Sequence, residues 1–202
     1  MREAVGDVLA AIEARLVART KPMVVAIDGG SGSGKSTIAR AIAETTPAVR
    51  LPVDDFYSFL IPSDRWDRFT TVERLDHVFE WDRLRGEAIV PLVSGKPIEW
   101  FRVDLETGIF PDGTYRLGSE RRVLESSDVI LVDGAYSAGP WLEDLVDLSV
   151  LIDVPIEERH RRLDIREPPE DLKSWRARWD EPEAYYFETL RPVSSFDVVV
   201  TN

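Results

Sequence analysis

The chain has 202 residues, 44% hydrophobic and 31% charged, which is the composition of a soluble globular protein large enough for one sizeable core. Its net charge of −12 argues against sequence-independent nucleic-acid binding, and the absence of Cys excludes disulfide and thiolate chemistry and fits a cytoplasmic protein. Two His, His77 and His160, are too few for a His-built metal site, and no apolar run approaches the roughly 18 residues of a membrane span.

Residues 2–19 read as an amphipathic helix, with Val5, Leu9, Ile12 and Leu16 on one face and charges between them, and not as a signal peptide. Met23 to Asp28 is an apolar, β-branched run and reads as a buried strand. Residues 35–46 read as a helix, and Val49 to Val53 as a short strand ending at Asp54-Asp55. Residues 56–72 read as loop, and 81–93 as helix. Between Ile98 and Leu117, Gly108, Pro111, Asp112 and Gly113 interrupt β-prone stretches, which predicts an irregular hairpin. Val129 to Val132 is a buried strand, Trp141 to Val146 a short helix and Leu148 to Val154 another strand. Pro155 then opens a helix to about Arg166, 170–190 reads as helix, and Val198 to Val200 as the last strand. Strands alternating with helices predict a mostly parallel α/β sheet in a single domain spanning 1–202.

The strand at 23–28 and the helix at 35–46 frame Gly29-Gly30-Ser31-Gly32-Ser33-Gly34-Lys35-Ser36-Thr37, which fits G-x-x-x-x-G-K-[ST] from Gly29 to Ser36. Glycines let a backbone approach phosphates closely, and the N–H groups and helix N-terminus then face the anion. Lys35 sets a point charge against the β- and γ-phosphates, and the Ser36 hydroxyl is a Mg²⁺ ligand. The spacing excludes a G-x-G-x-x-G dinucleotide fingerprint.

Three further groups bear on the chemistry. Asp133 ends an apolar strand, where phosphate-loop proteins present an acid to the Mg²⁺ shell; Gly134 follows where ATP hydrolases carry an acid to activate water, which tilts the reading towards transfer to an alcohol. No N-K-x-D guanine signature is present. Asp54 ends the second strand, at the ligand crevice of a parallel sheet, and is a candidate base for an attacking hydroxyl, with Asp55 as the neighbouring alternative. Arg159, Arg162 and Arg166, at i, i+3 and i+7, share one helix stripe suited either to clamping transferring phosphates or to a solvated face paired with Glu157, Glu158 and Asp164.

The loop, Asp54-Asp55-Phe56-Tyr57, Leu75-Asp76-His77, Asp133-Gly134, the Arg-rich helix and the final Phe196 to Val200 segment occur in one order over nearly the whole chain. In this the chain resembles the uridine kinase family, within the larger group of nicotinamide riboside kinase, phosphoribulokinase and bacterial pantothenate kinase. The resemblance implies a three-layer P-loop NTPase fold with a five-stranded, mostly parallel sheet. It also implies a small substrate hairpin at about 97–118 and an Arg-bearing lid at about 156–175. It further implies an ATP- and Mg²⁺-dependent kinase with Asp54 as base, Tyr57 and Asp76 touching the acceptor and Asp133 serving Mg²⁺. Its oligomeric members suggest a possible homo-oligomer.

The family's pyrimidine-reading P-x-Y-D-F, followed by His, is replaced by Pro97-Ile98-Glu99-Trp100-Phe101-Arg102-Val103-Asp104. The Tyr-Asp pair matches either Glu99-Trp100 or Val103-Asp104; neither keeps the Tyr, and no His follows. The expected acceptor pocket is floored by Asp54, Tyr57 and Asp76, and Trp100, Phe101 or Asp104 of the hairpin faces in. The acceptor expected first is a nucleoside or riboside. A vitamin-like alcohol, a sugar phosphate (with Arg65, Arg68 and Arg102 as its cations) and a non-catalytic nucleotide switch are the alternatives.

Overall fold

The computed structural model describes residues 1–17, 19–105, 107–166 and 169–202, the last range without the side chains of 169–172. Position 18 of the expected first helix, 106 of the hairpin and 167–168 of the lid lie outside the described residues. Helices are labelled here as α1 (Arg2–Leu16), α2 (Lys35–Thr45), α3 (Thr71–His77), α4 (81–93), α5 (Ile156–Arg166) and α6 (Pro169–Tyr185). Strands are β1 (Met23–Asp28), β2 (Val49–Pro52), β3 (Ile98–Val103), β4 (Leu117–Leu124), β5 (Val129–Asp133), β6 (Leu148–Asp153) and β7 (Val198–Thr201).

The central sheet has the order β2-β5-β1-β6-β7, and each neighbouring pair is parallel. Every residue of β1 is buried, as expected of an apolar strand covered on both faces. Alternate side chains divide between the two faces. Met23, Val25 and Ile27 pack with Ala4, Val8 and Ile12 of α1 and with Ile38 and Ile42 of α2. Val24, with Leu51, Ile130 and Val132, packs on the other side against Leu84, Ile89 and Leu92 of α4 and against Trp179 and Tyr186. These are the three layers. The buried stripe of α1 is Ala4-Val8-Ile12, one position off the expected one, whose Val5, Leu9 and Leu16 flank the core. No described helix is long and apolar enough to cross a membrane.

Three stretches differ from expectation. Residues 141–145 form successive turns where a helix over 141–146 is expected. The 56–72 stretch contains a single helical turn, Ser63–Trp66, and leads into α3, whose start is closed by a capping box between Thr70 and Glu73. The hairpin pairs β3 with a β4 that runs to Leu124, past the expected limit near 118. Within α4, residues Leu84–Ile89 widen to a π-helix, and α6 likewise ends in a π-turn at Tyr186–Leu190.

Candidate active site

The β1 C-terminus feeds the glycine-rich loop, and α2 starts at Lys35 with Gly34 as its N-cap. Gly32 and Gly34 have φ of 83° and 90°, the left-handed region that side chains rarely adopt. Among the described residues, the amides of Gly32, Gly34, Lys35 and Ser36 donate to no protein acceptor. With the N-terminal end of α2 they form an anion cradle. Lys35 is buried beside it, its Nζ 3.4 Å from the Gly30 carbonyl. Among the described residues the Ser36 hydroxyl has no protein partner, and Thr37 sits exposed in the first turn of α2.

Two adjacent carboxylates at the end of β2 have different surroundings. Asp55 accepts from Trp100 Nε1 at 2.9 Å and faces Arg122 at 3.5 Å, so it fastens the hairpin. Asp54 has no hydrogen bond or ion pair from its side chain among the described residues, and it opens on the crevice. Crowding by protein pushes its carboxyl above the usual range. The Lys35 ammonium opposes this, the Asp133 and Asp55 carboxylates add to it, and Arg50 opposes it further.

Asp133 is 1% exposed and gripped by Arg50 of β2, with Nε 2.6 Å from Oδ1 and Nη2 3.0 Å from Oδ2. A guanidinium therefore lies against the carboxylate that was expected to serve the metal. Asp28, fully buried at the end of β1, is an acid that sequence reasoning passed over. Its carboxylate accepts from the amides of Gly29 (2.7 Å), Tyr136 (2.9 Å) and Ala138 (3.0 Å) and from Tyr186 Oη (2.6 Å). Burial raises its pKa, and these donors and Lys35 pull in the opposite sense.

On the acceptor side, the Tyr57 ring lies 5.9 Å from Trp66, which it stacks on, and meets Phe79 (6.4 Å) and Tyr115 (6.0 Å) edge-on. Burial holds its phenol protonated well above the ordinary range. Tyr115 belongs to the hairpin loop, whose amide donates to the Phe59 carbonyl at 2.7 Å, so the hairpin closes over the segment that follows β2. Of the expected hairpin residues, Trp100 is buried against Phe56, Phe101 is 39% exposed, and Asp104 is engaged by the Thr107 amide and hydroxyl. Asp76 is exposed and accepts from Trp141 Nε1 at 3.0 Å.

The three arginines of α5 separate. Arg159 bonds the Ser31 carbonyl (3.1 Å) and Glu183 (2.5 Å); Arg162 bonds the Ser33 (3.2 Å) and Gly32 (3.4 Å) carbonyls; Arg166 is at the exposed end of the helix. The first two touch the back of the loop. A groove of about 150 Å³ beside them is lined by Gly30, Ile152, Arg159, Phe187 and Val193.

The free Ser36 hydroxyl and the free Asp54 carboxylate are hard oxygen donors suited to Mg²⁺, while Asp133 is held by Arg50. Among the described residues there is no cluster of three or more His, Cys, Asp or Glu that could hold a metal. This fits an ion bound by one or two side chains, with phosphate and water oxygens completing its shell.

The family model of chloramphenicol phosphotransferase-like proteins matches residues 22–164, from the start of β1 region through most of α5. The chain is 29% identical over 174 residues to a uridine kinase of Halobacterium salinarum, covering 84% of this chain and 71% of that one. It is 27% identical over 201 residues to a uridine kinase of Streptococcus agalactiae, covering 90% and 91% of the two chains. Its fold is similar to that of a possible uridine kinase from Bacillus stearothermophilus (TM-score 0.72, 20% identity, 98% of each chain). It is also similar to that of D-glycerate 3-kinase from Cryptococcus neoformans (TM-score 0.64, 11% identity, 99% and 94% covered). The chain belongs to the chloramphenicol phosphotransferase-like family and is a uridine kinase-like P-loop kinase, an ATP-dependent phosphotransferase.

Proposed function

We propose that the protein transfers the γ-phosphoryl group of ATP to the hydroxyl of a small molecule bearing a planar ring, of the nucleoside or riboside class. The observation that carries this reading is Asp54, a carboxylate without a hydrogen-bond or ion-pair partner among the described residues, on the same crevice as Lys35. The acceptor oxygen attacks the γ-phosphorus, the bond from that phosphorus to the β–γ bridging oxygen breaks, and ADP leaves. The hydroxyl proton passes to Asp54, whose raised pKa makes it a better base than an ordinary Asp. The cradle amides and Lys35 hold the phosphates, and Ser36 with the phosphate oxygens would hold Mg²⁺, with Asp133 set behind Arg50. When bound, Mg²⁺ neutralises charge on the β- and γ-phosphates.

Tyr57 and Tyr115, the half-buried members of an aromatic group whose Trp66 and Phe79 lie in the core, support a ring-bearing acceptor, because an aromatic surface favours planar ligands. A sugar phosphate is less well served. Arg68 pairs with Asp64, Arg65 lies over the Phe69 ring, and Arg102 is exposed on the hairpin. The matched family is named for likeness to a chloramphenicol phosphotransferase, which adds chloramphenicol to the candidate ring-bearing acceptors.

The test is purified protein with Mg²⁺ and ATP against a panel of nucleosides, ribosides, vitamin-like alcohols, sugar phosphates and chloramphenicol, followed by ADP release and by product mass. ADP release that depends on one ring-bearing alcohol, with one phosphate added to it, is expected. Tight ATP binding with no turnover on any compound would replace this reading with a nucleotide switch.

A further inference from the structure

In the glycine-rich loop the Gly30–Ser31 peptide points opposite to the three that follow it, and side chains from outside the loop meet each of the four. The Gly30–Ser31 peptide turns its carbonyl inward, towards Lys35 Nζ and the Ser33 amide (3.0 Å), and its N–H outward. That outward N–H is taken by Glu183 of α6 at 2.8 Å. The next peptide, Ser31–Gly32, is reversed: Arg159 holds its carbonyl outside at 3.1 Å. The Ser33–Gly34 carbonyl is likewise held outside, by Arg162 at 3.2 Å and Asn202 Nδ2 at 2.9 Å.

A trans peptide carries its N–H opposite its C=O. Holding the Ser31 and Ser33 carbonyls outside therefore aims the Gly32 and Gly34 amides into the cradle, and these amides have no protein acceptor. The grip is itself braced. Glu183 and Arg159 pair at 2.5 Å with side-chain exposures of only 9% and 12%, and Arg159 also bonds the Val154 carbonyl at 3.1 Å. A Cβ on Gly30 would come within 2.8 Å of Glu183 Oε1, so the glycine is what lets the pair reach the backbone.

We infer that Glu183, with Arg159, is a positioning unit for the phosphate loop: it orients the anion-binding amides from behind and does not itself touch phosphate. The inference rests on the reading of the loop as the nucleotide site. It gives the α5 arginines a different task from clamping the transferred phosphoryl group.

The probe is ADP with Mg²⁺, which binds without turnover and is followed by calorimetry. Glu183→Ala and Arg159→Met should each weaken binding about tenfold, because misaimed amides lose preorganisation. The double variant should lose little more than either single one, because both act through one unit. Glu183→Gln, which keeps an acceptor for the Ser31 amide but drops the charge on Arg159, should fall between Glu183→Ala and the unaltered protein. In turnover, the loss should appear in the KM for ATP more than in kcat.

Three results overturn the inference. One is unchanged ADP affinity in folded variants. Another is tighter ADP binding by Glu183→Gln, which would make the carboxylate a competitor of phosphate. The third is a fall in kcat for Arg159→Met with ADP affinity intact, which would make Arg159 a direct phosphate contact. Should Glu183→Ala fail to fold, Asn202→Ala tests the same device at the Ser33 carbonyl and should weaken ADP severalfold; unchanged affinity there counts against it equally. If the unaltered protein binds no ADP, the nucleotide reading itself has failed.

Discussion

Replacing Asp54 and Asp55 by Asn, one at a time, should produce mirror-image outcomes. Asp54 has no bonded partner, and its surroundings raise its pKa. A raised folded pKa means that the fold disfavours the charged form relative to the unfolded chain. Asp54→Asn removes that burden and should raise the Tm. The same change removes the base, and loss of a general base typically lowers turnover about 10²- to 10⁴-fold. Asp55 has a different position, since its side chain is 13% exposed, accepts from Trp100 Nε1 at 2.9 Å and faces Arg122 at 3.5 Å. Asp55→Asn keeps an acceptor for the indole but drops the charge on both contacts, which should cost about 1–2 kcal/mol. For a chain of this size that is a fall of about 3–6 °C in Tm. Turnover should drop only as far as the hairpin loosens. Thermal melts of both variants, with initial rates on the acceptor found in the panel, decide it. Near-normal turnover in Asp54→Asn, or lost turnover with an unchanged Tm in Asp55→Asn, would refute the assignment.

Lys35→Ala should leave the fold intact and weaken ATP by about 2–3 kcal/mol, roughly 30- to 150-fold in Kd, measured by calorimetry. Arg50→Met strands the Asp133 carboxylate, 1% exposed, without its cation, and should lower stability by about 3 kcal/mol or more in urea unfolding. An unaltered midpoint would show that Arg50 is dispensable. The pH dependence of kcat follows from Asp54: the ionised form is the base and its pKa is raised, so activity is lost as pH falls through that raised value. The acid limb should lie above the pH at which an ordinary Asp titrates, and Asp54→Asn should lack it.

The sheet was legible because its strands are unbroken apolar runs, and the loop because its chemistry is local in sequence. Helix α3 was legible too and was passed over: Thr70 and Glu73 stand at capping-box spacing, and both reciprocal bonds form. Residues 141–146 have helix-forming composition, but they span too little chain to repay a helical nucleus. The following Asp147 is fixed by its bonds to the Val24 amide and Arg19. Arg50 left a trace, a lone charge between Val49 and Leu51 in a strand, although nothing local named Asp133 as its partner. The spacing of Arg159 and Arg162 gave their common stripe but not the loop carbonyls they meet. Glu183 meets Ser31 across 152 positions, a contact that only the folded chain creates.

Helix α6 touches both halves of the site. Towards the acceptor side, Glu181 bonds Thr71, Arg178 pairs with Asp67, and the Trp179 ring meets Trp66 at 5.3 Å. Two residues further along the same helix from Glu181, Glu183 holds the phosphate loop. Anyone redesigning this protein for a new acceptor meets a constraint here. Substitutions in the 63–77 segment push on a rod that also aligns the nucleotide site, so a change of specificity made there carries a change in ATP affinity with it. The strands of the hairpin are attached through Asp55, Trp100 and Arg122, whereas its loop bonds the segment that α6 holds, the Asp112 carbonyl accepting from the Ser63 amide at 2.9 Å. That makes the hairpin strands, and not their loop, the side from which the acceptor pocket can be reshaped while the nucleotide half stays as it is.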